Sequence, residues 1–123
     1  MPPSLDQALA AASAASAKQA RDVRVLDVSE PLVISDYFVI CSGSNERQVR
    51  AIAEEVERVC RLEGVRPLRR EGEREARWIL LDFVDFVVHV FLHTEREFYD
   101  LERLWRDAPV VARSDDVGSL VTV

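Results

Sequence analysis

The stretch WILLDFVDFVVHVFL, residues 78–92, decides the fold of this chain. It is rich in branched and aromatic side chains, which favour β-strands, and it is too apolar for a single exposed strand. Asp82 and Asp85 interrupt the apolar pattern, as polar residues at turns do. We therefore predict two strands, residues 78–83 and 86–92, joined as a hairpin.

The first strand of this hairpin has two faces of similar character. Side chains alternate along a strand, so Trp78, Leu80 and Asp82 lie on one face and the residues between them on the other. Both faces are apolar, and one interpretation is that both are core. A sheet of this size has enough helix to cover one face well and the other only in part. A Trp-Leu-Asp stripe on the less covered face would suit a protein interface, with an aromatic anchor and an acidic rim.

The chain before the hairpin predicts one amphipathic helix and two strands. Apolar residues recur at helical spacing over residues 46–63, where Asn45 supplies a capping start and Gly64 an end. The segments at residues 23–28 and 37–41 are short, rich in branched and aromatic side chains, and bounded by polar, Gly or Pro residues. Both segments are predicted to be strands.

The two ends of the chain are predicted to pack less firmly. Ser4 opens an alanine-rich helix over residues 5–20, whose small apolar face can pack only thinly. Helical periodicity stops at Arg106, and Pro109 disfavours its continuation, so a flexible tail is expected. The chain is thereby divided into a helical start, a main domain and a tail, over residues 1–22, 23–109 and 110–123.

Two further elements follow from the same signals. Residues 65–70 are predicted to form a short edge strand, and Thr94 with Glu97 a capping box that opens a helix over residues 95–105. The expected core face of this helix is Phe98, Leu101, Leu104 and Trp105. The order helix, two strands, helix, three strands, helix predicts a single α/β domain with a mixed β-sheet packed by helices.

Composition narrows the class of protein. The 123 residues carry a formal net charge of −6, which argues against broad wrapping of nucleic acid and favours a basic protein partner. Cys41 and Cys60 are too few for a disulfide scaffold or a zinc site, and we expect buried thiols. The start of the chain lacks the pattern of a signal peptide, and no stretch reaches the roughly 20 apolar residues of a membrane span. We therefore expect a cytoplasmic protein.

Three patterns could carry chemistry, and each has a simpler structural explanation. Gly43-Ser44 lies between a strand and a helix like a phosphate-binding turn, but it lacks the further glycines or the lysine of such motifs. Asp82 and Asp85 are three residues apart, so on a continuous strand they point to opposite faces and cannot hold the metals of a nucleotidyltransferase together. His89 has no nucleophile partner marked by spacing, and a lone histidine in a strand is more often a hydrogen-bonded structural residue. We expect no catalytic residue, no metal and no cofactor.

Four motifs, in order along the chain, resemble one known family. They are SDYFVICSGSNERQVRAIAEEVE at residues 35–57, PLRREG at 67–72, WILLDFVDFVVHVF at 78–91 and REFYDLERLWRDAP at 96–109. From about Val23 to Pro109 the chain is similar to the ribosomal silencing factor family, also called Iojap-related. One departure from the family pattern is Val84, where glycine is usual, which leaves the turn type of the hairpin open.

The resemblance implies a fold similar to nucleotidyltransferases without their catalytic carboxylates, in a protein that is not an enzyme. Members bind a basic ribosomal protein on the intersubunit face of the large ribosomal subunit and sterically block joining of the small subunit, which represses translation. The resemblance implies that the partner is bound by residues of the hairpin motif and of two other motifs, namely Trp78, Leu80, Asp82, Asp85, Asp36, Tyr99 and Glu102. A homodimer of the free protein fits the resemblance, and sequence-specific nucleic acid binding is not expected. The alternative is a nucleotidyltransferase-like enzyme acting on nucleotides or RNA.

Overall fold

The computed structural model describes residues 3–30, 35–115 and 119–122, which fold around one seven-stranded β-sheet. The strands are β1 (Arg21–Asp27), β2 (Tyr37–Gly43), β3 (Arg69–Glu71), β4 (Trp78–Asp82), β5 (Phe86–Leu92), β6 (Val110–Ser114) and β7 (Leu120–Thr122). The helices are α1 (Pro3–Ala17), α2 (Glu46–Leu62), α3 (His93–Tyr99) and α4 (Leu101–Leu104). The predicted class, a single α/β domain with a mixed sheet packed by helices, is confirmed.

The strands lie in the order β3-β4-β5-β2-β1-β6-β7. β2 and β5 run parallel to each other, and the other five pairings are antiparallel. β2 is the middle strand, and each of its residues is buried. The predicted hairpin of β4 and β5 is confirmed, with Trp78 opposite Phe91 and Asp82 opposite Val87.

Helices α1 and α2 cover one face of the sheet. Small side chains let α1 approach closely, and Ala8, Ala11, Ala12 and Ala15 are fully buried. This helix therefore belongs to the same core as the sheet. The predicted extension of the helix to residue 20 is wrong, because the backbone φ of +62° at Gln19 turns the chain into β1.

Helix α2 begins and ends with the predicted residues. The Asn45 side chain accepts a hydrogen bond from the backbone N–H of Gln48 at 2.9 Å, and Gly64 has the left-handed φ of +83°. The buried face of the helix is Val49, Ile52, Ala53, Val56 and Cys60. Cys41 is also buried, and burial raises the pKa of both thiols to about 12, which makes them unreactive.

The last predicted helix is interrupted. Asp100 has a left-handed φ of +47°, which separates α3 from α4. Leu101 and Trp105 pack on the second face of the sheet, whereas Phe98 and Leu104 are each 78% exposed. The prediction of one continuous helix with all four side chains in the core is wrong, because the break at Asp100 changes which side chains face the sheet.

Two local predictions near the hairpin are also corrected. The capping box expected at Thr94 and Glu97 is wrong, since the residue that precedes α3 is Leu92, which has no side-chain cap. The edge strand expected over residues 65–70 is shorter and shifted, and it forms β3. Pro67 explains the shift, because proline has no N–H to contribute to the strand pairing.

The residues after Pro109 form two strands instead of a free tail. β6 pairs with β1, where Ala112 lies opposite Val25 and is fully buried, and β7 pairs with β6. The prediction of a flexible tail is therefore wrong for β6 and β7. Residues 116–118 and 123 of that range lie outside the described part of the chain. β6 forms a strand because it satisfies the backbone hydrogen bonds on the edge of β1 that faces away from β2.

Candidate protein-binding face

The face of the sheet opposite α1 and α2 is only partly covered. Leu101, Trp105 and Ala108 pack there on a small apolar cluster, which is made of Leu26, Val28, Phe38, Ile40, Val87 and Phe91. Farther out, on β4, Trp78, Leu80 and Asp82 are half-buried, while the residues between them are fully buried against the helices. This pattern confirms the predicted alternation. We call Trp78, Leu80, Asp82 and the neighbouring Tyr99 the open face.

Aromatic rings from three elements meet at the open face. The Trp78 ring stacks on Phe91 of β5, with their centroids 4.7 Å apart, and lies 5.0 Å from the ring of Tyr99 in α3. Tyr99 is 50% exposed and contacts Phe98 edge-on at 5.1 Å. A half-buried tryptophan supported from beneath by other rings has the character of an interface anchor.

His89 lies beneath this aromatic group. Its Nδ1 accepts a hydrogen bond from Trp78 Nε1 at 3.2 Å, and its ring packs against Phe38 at 4.8 Å. Burial lowers the pKa of His89 to about 4, so the imidazole is neutral at pH 7. Its Nε2 is buried and has no hydrogen-bond partner in the described part of the chain. A neutral imidazole sealed from solvent fits the structural role that the sequence favoured over a catalytic one.

The turn between β4 and β5 is organised by Asp82. Its Oδ1 accepts from the backbone N–H of Val84 at 2.8 Å, and its Oδ2 accepts from Arg69 Nε at 3.2 Å. Val84 keeps the positive φ, +75°, that glycine would adopt without strain, and its carbonyl accepts from the Ser35 hydroxyl at 2.7 Å. The open question of the turn is thus answered: the left-handed conformation is retained without glycine.

Four aspartates lie at one end of the sheet, where β1 and β4 end and β2 and β5 begin. They are Asp27, Asp36, Asp82 and Asp85, and we call them the acidic edge. Burial raises the pKa of Tyr37 in their midst, and the charges of two of these neighbours raise it further. The edge therefore offers concentrated negative charge beside the open face.

Members of the acidic edge differ in how they are held. The Asp36 side chain is half-buried and accepts a hydrogen bond from the Ser4 hydroxyl at 3.3 Å. Ser4 lies inside α1, so the prediction that it caps the helix is wrong. The backbone N–H of Asp36 donates to the carbonyl of Asp85 at 2.8 Å. The Asp85 residue is exposed, and its carboxylate makes no hydrogen bond or ion pair within the described residues. Asp85 is thus free to meet a cation from outside.

Glu102 is committed to internal contacts. It accepts from Arg96 Nε at 2.9 Å and from Arg24 Nη1 at 2.8 Å. Burial raises the pKa of Glu102, but Arg96 and Arg24 lower it by more, through their hydrogen bonds to the carboxylate and their positive charges. The pKa of Glu102 is therefore below its usual value. The sequence missed Arg96, because an arginine in a charged stretch normally lies on a solvated face. The structure instead buries Arg96 and brings it to Ser42 and two backbone carbonyls of β1.

The other candidate positions show no ligand geometry. The backbone N–H of Ser44 donates to the Gln48 side chain at 2.7 Å, and a Cβ on Gly43 would meet Val49 at 3.2 Å, so this is a tight strand-to-helix turn. Within residues 3–30, 35–115 and 119–122, no three His, Cys, Asp or Glu side chains form a group that could hold a metal.

No described helix is long and apolar enough to cross a membrane. A cavity of about 1050 Å³ between α1, β1 and β7 contains none of the predicted site residues.

The chain matches one family of known proteins over most of its length. The model of a family described as "Ribosomal silencing factor during starvation" matches residues 2–121. The chain belongs to the ribosomal silencing factor family. The match extends beyond Val23 and Pro109 in both directions. This family is not a known class of enzyme.

Individual relatives and a solved structure agree with this assignment. The chain is 46% identical over 101 residues to the ribosomal silencing factor of Halalkalibacterium halodurans, covering 82% of this chain and 86% of that protein. It is 33% identical to the mouse protein named "Mitochondrial assembly of ribosomal large subunit protein 1", covering 72% of this chain and 40% of that protein. A crystal structure of a Chromobacterium violaceum protein matches with a TM-score of 0.81 at 31% identity, covering 83% and 85% of the two chains.

Proposed function

We propose that this protein binds the large ribosomal subunit through a basic ribosomal protein on its intersubunit face and thereby blocks joining of the small subunit. Translation is repressed by steric exclusion, without a chemical step. The membership of the silencing factor family supports this proposal, as does the mouse relative, whose name refers to the large ribosomal subunit. The proposal assigns the binding to the open face and the acidic edge.

The observation that carries the proposal is Trp78 on β4, which stays only half-buried on the open face although Tyr99 of α3 contacts its ring. Stacking on Phe91 and contact with Tyr99 restrain the plane of its ring before a partner arrives. Binding energy in protein interfaces concentrates on such preordered aromatic residues, because little side-chain entropy is lost on association. Leu80, beside Trp78 on the same face, would extend the apolar contact.

Charge supports a basic partner. The chain carries a net charge of −6, and the acidic edge concentrates four carboxylates beside the open face. Opposite charges on two surfaces raise the rate of association and select the orientation of the complex. We assign this steering role to Asp85 and Asp36, whereas Asp82 combines a rim position with its role in the turn. Glu102 has an indirect role in the proposal: its bonds to Arg96 and Arg24 hold the chain around Asp100 in place.

Further parts of the proposal follow from the same family membership. The fold is proposed to resemble nucleotidyltransferases without their catalytic carboxylates, and the protein to act without a cofactor in the cytoplasm, where ribosomes are. A homodimer of the free protein is proposed to cover the open face until the ribosome replaces the second copy. Sequence-specific contacts with nucleic acid are not part of the proposal.

The test is sedimentation with ribosomes. At low magnesium concentration, where the subunits separate, the full chain should migrate with the large subunit and not with the small one. When separated subunits are mixed with the protein before magnesium is raised, fewer assembled ribosomes should form. Equal amounts of the protein on assembled ribosomes and on free large subunits would contradict steric exclusion.

A pair of variants links this test to the open face. Trp78→Ala should weaken binding to large subunits by about 2 kcal/mol or more, as removal of a central interface aromatic does. Leu62→Ala is the matched control, because Leu62 is an apolar side chain, 74% exposed, at the end of α2 on the other side of the sheet. Circular dichroism should show that both variants are folded at the temperature of the assay. Equal affinities of Trp78→Ala and Leu62→Ala would move the interface elsewhere.

A further inference from the structure

The hydrogen bond between Trp78 and His89 has a consequence for what the open face can recognise. The indole N–H is the one polar hydrogen on the Trp78 side chain. It donates to Nδ1 of His89 at 3.2 Å, beneath the surface. His89 is only 4% exposed, so the edge of the indole that carries this hydrogen faces the interior. The part of Trp78 that remains exposed is therefore carbon.

We infer that His89 is a positioning residue, which turns the polar edge of Trp78 inward so that the open face presents an apolar ring to the ribosomal partner. This inference rests on the proposed function, in which Trp78 is the anchor of the interface. It also specifies the partner chemistry. The contact on Trp78 should be an aliphatic side chain, or the stem or cation of a lysine or arginine over the ring, and not a hydrogen-bond acceptor.

The surroundings of His89 support a positioning role over simple filling of the core. Phenylalanine or leucine would fill the same apolar cluster without leaving a polar atom, yet His89 keeps Nε2 buried without a partner in the described part of the chain. An unpaired buried polar group costs stability. The Nδ1 bond to Trp78 is the one hydrogen bond of this side chain within the described residues, so orientation of the indole is what the histidine provides.

The geometry also explains why the indole would not hold this position alone. Stacking on Phe91 at 4.7 Å and contact with Tyr99 at 5.0 Å restrain the plane of the ring, but rings can turn within such contacts. Without an acceptor at Nδ1, the N–H would be left beneath the surface and unpaired, which favours rotation of the ring toward water. A rotated ring would present a different surface to the partner.

A double-mutant cycle separates positioning from a general effect on the fold. His89→Phe removes the acceptor and keeps an aromatic ring, and Trp78→Phe removes the N–H that needs the acceptor. In the wild-type background, His89→Phe should weaken binding to isolated large ribosomal subunits about tenfold, which is the effect of about 1.4 kcal/mol. In the Trp78→Phe background the same substitution should change affinity less than about threefold, because there is no indole N–H to place.

Two further variants make the cycle robust. His89→Asn can place an amide oxygen close to the position of Nδ1 and should restore most of the affinity. His89→Gln carries its amide farther out, nearer to the position of Nε2, and should bind as weakly as His89→Phe. If His89→Phe does not fold, His89→Gln takes its place in the cycle.

A spectroscopic readout reports the orientation directly. The chain has two tryptophans, so its ¹⁵N–¹H spectrum contains two indole signals, and the signal that disappears in Trp78→Phe belongs to Trp78. The Trp78 signal should shift in His89→Phe and His89→Gln, and stay near its wild-type position in His89→Asn. Amide signals of α2, on the other side of the sheet, should not move.

The outcomes distinguish this inference from the proposed function. If Trp78→Ala abolishes binding while His89→Phe and His89→Gln bind as the wild type does, the inference is overturned and the proposed interface stands. The inference is also overturned if His89→Phe weakens binding equally in both Trp78 backgrounds. If Trp78→Ala itself binds normally, the proposed interface is overturned.

Discussion

Replacing Arg96 with methionine is expected to lower the free energy of unfolding by about 3–5 kcal/mol. The guanidinium of Arg96 donates to Glu102 at 2.9 Å, to the carbonyls of Arg21 and Asp22 at 3.1 and 2.8 Å, and to the Ser42 hydroxyl at 3.2 Å. Its side chain is 8% exposed. Hydrogen bonds of charged groups contribute about 1.5–3 kcal/mol each, but they are not additive within one network. Methionine fills most of the volume, so the loss reports mainly these polar contacts.

The assay is urea unfolding at pH 7, followed by circular dichroism. Arg103→Met is the matched control, because Arg103 is exposed in α4 and its guanidinium has no partner among the described residues, and it should stay within about 0.5 kcal/mol of the wild type. Arg96→Lys keeps the charge but loses the planar fork of donors, so an intermediate loss of about 2 kcal/mol is expected. If Arg96→Met loses less than about 1 kcal/mol, the network is not what holds α3 to the sheet.

The site supports four further predictions. The pKa of His89 is lowered from 6.5 to about 4, so protonation favours the unfolded chain. The contribution of His89 to stability should be constant above pH 6.5 and fall by up to about 3 kcal/mol as pH drops from 6.5 to 4. Unfolding curves of His89→Phe should lack this component, and parallel pH profiles of the two proteins would contradict it. Asp85→Asn should slow association with large subunits at low salt, and this difference should disappear at high salt, where exposed charges are screened. Asp82→Asn should instead lower thermal stability, since Asp82 accepts hydrogen bonds from Arg69 and Val84. A loss of stability in Asp85→Asn together with slower association in Asp82→Asn would contradict these two roles. Val84→Gly should raise the unfolding free energy by about 1 kcal/mol, because φ is +75° there, and a loss of stability would show that the valine side chain matters more than backbone strain.

The hairpin, α2 and the class of the fold were accessible from the sequence because each depends on local signals. Alternation over residues 78–82 placed Trp78 and Leu80 on one common face, and the structure shows that this face is only half-buried. Asn45 and Gly64 marked the ends of α2 through their own backbone and side-chain chemistry. The four motifs identified the family, and the family match confirmed it over a longer range.

The C-terminal strands and the broken last helix were not accessible in this way. The residues of β6 carry no helical or turn signal strong enough to reveal a partner, and their strand forms because the edge of β1 is available from a distant part of the chain. The break at Asp100 likewise has no proline or glycine to mark it. It forms where Arg96 and Glu102 on either side bind each other and the sheet.

The sequence by itself therefore determined which residues alternate, which helix is amphipathic and which family the chain resembles. Only the tertiary structure decided that Glu102 is bound internally by Arg96, that the Asp85 carboxylate has no partner among the described residues, and that the Trp78 N–H is bonded to His89. The physical reason is the separation along the chain over which each kind of interaction acts. Periodicity and capping act over a few neighbouring residues, whereas the partner of a buried polar group is set by whichever atoms the assembled sheet brings within about 3 Å of it.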